Sequence, residues 1–155
     1  MTSSKPYEQR TDLERIQSQW NKLTGLHSRN ESSAAIVRAA TAAEMAATFA
    51  IRKEFESNSQ FDKAFVDSLL VWANGITGKM DRLLIPATKG SKHHKTITKL
   101  KATSEKINKK RNAVAHQGEF CNPDEAREII DLSREFINNL LTIYDQNFSL
   151  KEKKR

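Results

Sequence analysis

The chain has 155 residues, the size of one domain, with 37% hydrophobic and 29% charged residues, a balance too apolar for wholesale disorder. Cys121 is the sole cysteine, which excludes an internal disulfide and a cysteine-based zinc cluster; with no signal-peptide pattern and no uninterrupted apolar stretch expected to span a bilayer, the composition points to a cytoplasmic protein without membrane attachment. The net charge of +7 favours an anionic partner or simply solubility, and leaves those two open.

Residues 1 to 6 read as a frayed tail, followed by a single helical domain over 7–148. Leu13, Ile16, Trp20 and Leu23 recur at spacings of three, four and three, the seam of an amphipathic helix that should stop near Gly25. A second helix is expected from Ser32 or Ser33 to about Phe55, with Ile36, Ala40, Ala43, Ala47 and Ile51 on its contact face. Alanine on that face lets helix axes approach closely, which predicts a central element packed on a neighbouring helix or a second subunit.

The polar stretch Ser57-Asn58-Ser59 breaks the pattern. Beyond it, Phe61, Phe65, Leu69, Trp72, Ile76, Met80 and Leu83 predict one long helix, weakened at Gly75 and Gly78 and closed at Ile85-Pro86. Trp20 and Trp72 both fall on helical stripes and read as core, although an exposed tryptophan can stack on a base. After a loop over 87–91, a fourth helix carries Ile97, Leu100, Ile107 and Val114 on one face. The last helix has the clearest start: Asn122 as cap, Pro123 in the first turn, then Asp124 and Glu125 where the helix dipole favours negative charge. Its buried side is Ile129, Ile130, Phe136, Ile137, Leu140, Leu141 and Tyr144, and residues 149–155 read as a basic, flexible tail. No repeat and no strand-period segment is visible, so the fold class is an all-α helical bundle with antiparallel neighbours.

Charge and chemistry concentrate in the fourth helix. Between Lys89 and Arg111 lie nine basic residues (Lys89, Lys92, Lys95, Lys99, Lys101, Lys106, Lys109, Lys110 and Arg111) against the single acid Glu105. Leu100, Ser104, Ile107, Arg111 and Val114 share one helical stripe, which aligns Arg111 with core positions. Such an arginine packs its stem and carries its head to the edge, or pairs with an acid. His116 follows where the helix must end before Gly118, a position often dipole-related. His93 and His94 lack a third ligand at metal spacing and form no strong metal site, and Cys121 lies in a loop with no catalytic partner.

The segment Lys109-Lys110-Arg111-Asn112-Ala113-Val114-Ala115-His116, followed at once by the capped last helix, resembles the HEPN superfamily, whose signature is Arg, a polar residue, a short spacer and His. The resemblance covers this motif closely and the helix order from about 32 to 148 loosely, with the N-terminal helix as an addition. It implies a four-helix HEPN-like core and a metal-independent endoribonuclease that needs no cofactor. In it Arg111 and His116 of two subunits would meet in a composite cleft of a homodimer. Histidine, with a reference pKa of about 6.5, moves protons near neutrality, and a guanidinium steadies charge on phosphoryl oxygens. Asn112 would orient the histidine or bind phosphate, and Glu44, on the alanine-rich helix, would approach the site and pair with Arg111 or stay exposed. Lys92, Lys95, Lys99, Lys106, Lys109 and Lys110 would hold the backbone of single-stranded RNA, with His93 and His94 nearby, unless the lysine run is only a solvated face. The role implied is a toxin or antiviral effector, with an antitoxin or other regulatory protein as a further partner. The alternative is a non-catalytic module of the same type that binds nucleic acid, a nucleotide or a protein.

Overall fold

A computed structural model of the chain describes residues 6–58 and 61–152; the expectations for residues 1–5, Ser59 and residues 153–155 lie outside them. The described residues are all-α, without a strand. A 3-10 turn, Tyr7–Gln9, precedes α1 (Asp12–Ser28), α2 (Ser32–Asn58) and α3 (Lys63–Trp72). Then come α4 (Gly75–Lys79), a π turn (Met80–Leu84), α5 (Ile85–Ala87), α6 (His94–Gln117) and α7 (Pro123–Tyr144).

The first helix begins at a capping box in which the Thr11 hydroxyl accepts from Glu14 N–H while the Glu14 carboxylate accepts from Thr11 N–H. It does not stop at Gly25 but passes through it to Ser28. The stop is Asn30, held at a left-handed φ of 59°, with Asn30 N–H returning to His27 O and Glu31 N–H to Leu26 O. That closing pair of hydrogen bonds needs one residue at positive φ, which asparagine tolerates and an internal glycine does not demand.

The second helix is the central one, packing chiefly on α1 and α7 and then on α6 and α4. Ala35, Ala39, Ala42, Ala43, Ala46, Ala47 and Ala50 are all fully buried, so methyl groups rather than long side chains set its distance from its neighbours. By composition alone residues 32–57 are long and apolar enough to cross a membrane, contrary to the sequence expectation. Alanine produces that hydropathy, and α1, α6 and α7 cover the same faces here.

The expected long third helix is broken. Ala73 and Asn74 leave the helical region, and Gly75 takes a φ of 79°, which a side chain would resist. The break changes which stripe faces inward: Val66 and Leu70 are buried before it and Ile76, Met80, Leu83 and Leu84 after it. Phe61, Phe65 and Trp72 are left 53%, 45% and 59% exposed. Trp72 is therefore not core; the Arg82 guanidinium lies 5.0 Å from its ring centroid. Nor does Ile85-Pro86 end the helical course, which runs on to Ala87 with Thr88 as its cap. Proline offers no N–H and its ring crowds the carbonyl four residues back; the π turn just before it opens the spiral there, and the Thr88 hydroxyl donates to Leu84 O at 3.0 Å.

The last helix opens with a second capping box, between Asn122 and Glu125, and buries Phe136, Ile137, Leu140 and Leu141 completely, each worth about 1.5–3 kcal/mol relative to exposure. The chain beyond it is fastened, not flexible, as far as Glu152. Leu150 is buried, Lys151 exchanges two hydrogen bonds with the Gln17 side chain, and Trp20 Nε1 donates to the Glu152 carboxylate at 3.0 Å.

The close approach along α2 yields a stability test. Ala46→Leu adds bulk where no exposure exists, and urea unfolding should show a loss of about 1–3 kcal/mol, whereas unchanged stability would mean that α2 is not tightly packed.

Candidate functional site

Leu100, Ser104 and Ile107 seat α6 on the core, and the same stripe continues through the half-buried Arg111 and Val114 toward the helix end. Gly118 closes the helix at a φ of 64°, and the N–H groups of Gly118 and Glu119 both return to Ala113 O. His116 thus sits exposed in the last turn, two residues before a stop that only glycine accepts without strain.

Here Arg111 and His116 come together within a single chain. Arg111 Nη1 lies 2.9 Å from His116 Nε2 and donates to Asn112 Oδ1 at 3.2 Å. A guanidinium has no lone pair to offer, so Nε2 is the acceptor and the ring in this contact is neutral with its proton on Nδ1. The Asn112 amide oxygen is thus held by the arginine, and among the described residues no side-chain hydrogen bond joins it to the histidine. With Nη1 occupied by these two neighbours, Nε and Nη2 have no protein partner among the described residues. Those two N–H groups form one edge of the planar fork, the edge that suits two oxygens of a phosphate or carboxylate.

Glu44 does not join this group. Its carboxylate accepts from Lys79 Nζ at 3.0 Å, and the same ammonium donates to Ala73 O at 3.3 Å, which ties α2 to the break between α3 and α4. Lys79 is only 6% exposed, and sequence reasoning passed over it because one lysine on a mixed helical stripe carries no signal of burial.

Lys110, one of the lysines expected to hold RNA, is engaged within the chain. It pairs with Glu125 and, at 3.3 Å, with Glu119. The hydrogen bond to Glu125 holds the ammonium well above the usual lysine range, with Glu119 adding to it against a desolvation penalty. Glu125 is held below the usual carboxylate range chiefly by the same bond and then by Asn122 N–H. Lys92, Lys95, Lys99, Lys106 and Lys109 are exposed and have no ion-pair partner among the described residues. The His94 Nδ1 lies 3.3 Å from the Thr88 hydroxyl, His93 is half-buried, and no group of three ligating side chains gathers around them among the described residues. Cys121 is buried, and its thiol lies 3.9 Å from Glu119 O.

Phe120, 86% exposed and two residues past the helix stop at Gly118, is a further candidate that periodicity could not reveal, because a loop aromatic belongs to no stripe. No family model, curated protein or solved structure matches the chain.

The ion pair on α2 gives an asymmetric expectation. Glu44→Ala strands a buried ammonium on one carbonyl and should cost about 1–3 kcal/mol by urea unfolding. Lys79→Met leaves a half-exposed carboxylate that water can reach, and should cost less; the reverse order would count against the buried-lysine account.

Proposed function

We propose that the chain is a metal-independent endoribonuclease of HEPN type, acting in the cytoplasm as a toxin or antiviral effector. The observation that carries this reading is the contact of Arg111 with His116 at an exposed helix end, with one edge of the guanidinium unoccupied by any described residue. A free donor edge beside an unprotonated imidazole nitrogen is what phosphodiester transesterification uses.

RNA places a backbone phosphate against Nε and Nη2 of Arg111, in two parallel charge-assisted hydrogen bonds. That charge draws the guanidinium outward and releases His116 Nε2, which takes the proton of the neighbouring ribose 2′-hydroxyl. The O2′–P bond forms as the P–O5′ bond breaks, and Arg111 meets the negative charge gathering on the equatorial oxygens. The products are a 2′,3′-cyclic phosphate and a 5′-hydroxyl. In a homodimer, the His116 of a second copy supplies the proton that O5′ requires, which makes the site composite. Asn112 holds the arginine in register, and Phe120 offers a ring on which a base next to the scissile bond can stack. The net charge of +7 and the exposed lysines of α6 add a long-range, sequence-independent attraction that salt weakens.

The test is incubation with a labelled single-stranded RNA in chelator, followed by end-group analysis. Wild type should leave 2′,3′-cyclic ends, while His116→Ala and Arg111→Ala, which remove half-exposed groups from no core position, should keep the helical circular dichroism and lose cleavage by about 100-fold or more. Intact RNA at high protein concentration would instead favour a binding module, and full activity in either variant would remove the pair from the mechanism.

A further inference from the structure

The face of α6 away from α2 makes a groove with α7. The two helices run antiparallel, and two recesses, of about 600 and about 300 Å³, follow one another along their seam. They reach from Thr96 to Ala113 on α6, a span of about 26 Å at 1.5 Å per residue. Leu100, Ala113, Ile129, Leu132 and Ile143 make the apolar part of the floor, which Thr103 and Asn139 interrupt in the larger recess.

The rims carry opposite charge. Lys99 and Lys106 stand on the α6 side, seven residues apart, and Glu128 and Glu135 on the α7 side, also seven apart. Seven residues are two helical turns, so each pair projects from one edge of its helix. All four are exposed, and none has an ion-pair partner among the described residues. Two helices that fully satisfied each other would pair such charges across the seam, as Lys110 does with Glu125 at the groove's end. Here the rims stand unpaired on either side of an apolar floor.

We infer that this groove is the docking site for an α-helix of a partner protein. That helix carries an apolar seam, acidic side chains along the edge facing Lys99 and Lys106, and basic ones along the edge facing Glu128 and Glu135. The groove accommodates about 17 residues of helix. The seven-residue spacing on both rims matches how flanking charges select a partner in coiled coils. An RNA strand seated in the groove fits less well, since the glutamate rim repels the phosphates that the lysine rim attracts, and a compact solute would leave most of the floor uncovered.

The experiment uses the full chain and three labelled 18-residue helical peptides with the same leucine and alanine seam. One bears Glu on one edge and Lys on the other, one bears Glu on both, and one bears Lys on both. Fluorescence anisotropy should show the mixed peptide binding at least about tenfold tighter than either single-sign peptide, because each of those meets one rim of its own charge. In the variant with Glu128→Lys and Glu135→Lys, whose exposed positions leave the helical circular dichroism unchanged, the preference should move to the all-Glu peptide by a similar factor. Tightest binding of the all-Glu peptide to wild type would overturn the proposal in favour of an anion seat. Binding of no peptide, or loss of self-association on Leu132→Lys measured by sedimentation, would overturn it as well, the latter by giving the groove to a second copy of the chain. Each readout is binding or assembly, so it stands or fails separately from RNA cleavage.

Discussion

Everything in this bundle depends on how closely other helices can approach α2. Seven alanines with no exposure surround much of its circumference, and a methyl group leaves the neighbouring axis as the nearest thing to pack against. The bulk needed to fill the remaining space then comes from the partners: Ile16, Trp20 and Leu23 on α1, Ile97 and Ile107 on α6, and Phe136, Ile137, Leu140 and Leu141 on α7. One small-residue helix thus sets the spacing, and the large residues are distributed around it. The N-terminal helix, without a counterpart in the four-helix pattern suggested by the motif, belongs to this arrangement because α2 packs on it as extensively as on α7.

What could be seen in advance was local and periodic. The central role of α2, the stripe of α6 and the capped start of α7 each depend on residues within a few turns of one another, where the period of 3.6 and the capping chemistry act directly. What could not be seen depended on contacts distant in sequence or on backbone geometry that periodicity averages over. Gly25 looked like a stop because glycine often is one, but Asn30 takes the left-handed position and Gly25 only weakens the helix locally. The stripe from Phe61 to Leu83 kept its period in the sequence while the chain broke at Ala73, so half of it turned to solvent. The C-terminal segment looked like a tail because its composition is basic and polar. Its order comes from Gln17 and Trp20, more than 130 residues away.

The site divides in the same way. Arg111, Asn112 and His116 lie within six residues, so their contact is a property of one helix end and was legible as a motif. Glu44 was expected near Arg111, or exposed, only because the family resemblance implies an acid from that helix. Its actual partner, Lys79, follows from a helix break that no spacing announces. The lysine run was read by sign alone. In three dimensions its members part ways: Lys110 is bound into the protein, whereas Lys99 and Lys106 face acids of α7 across a groove.

A histidine and an arginine can act as a pair only if the backbone between them and beneath them is rigid. The turn at Gly118 fixes the direction in which the chain leaves His116, and Lys110 fastens the helix just before Arg111 to the start of α7 through Glu119 and Glu125. Because Glu125 is held below its ordinary range in the folded state, this clamp contributes fully above the unfolded carboxylate value and is lost as pH falls through the lower, folded one. Lys110, held above its range, contributes fully below the ordinary lysine value and weakens only as pH rises past it. The clamp is therefore intact across the neutral range in which an imidazole can exchange a proton. The mount for the pair stays fixed under the conditions where its chemistry would operate.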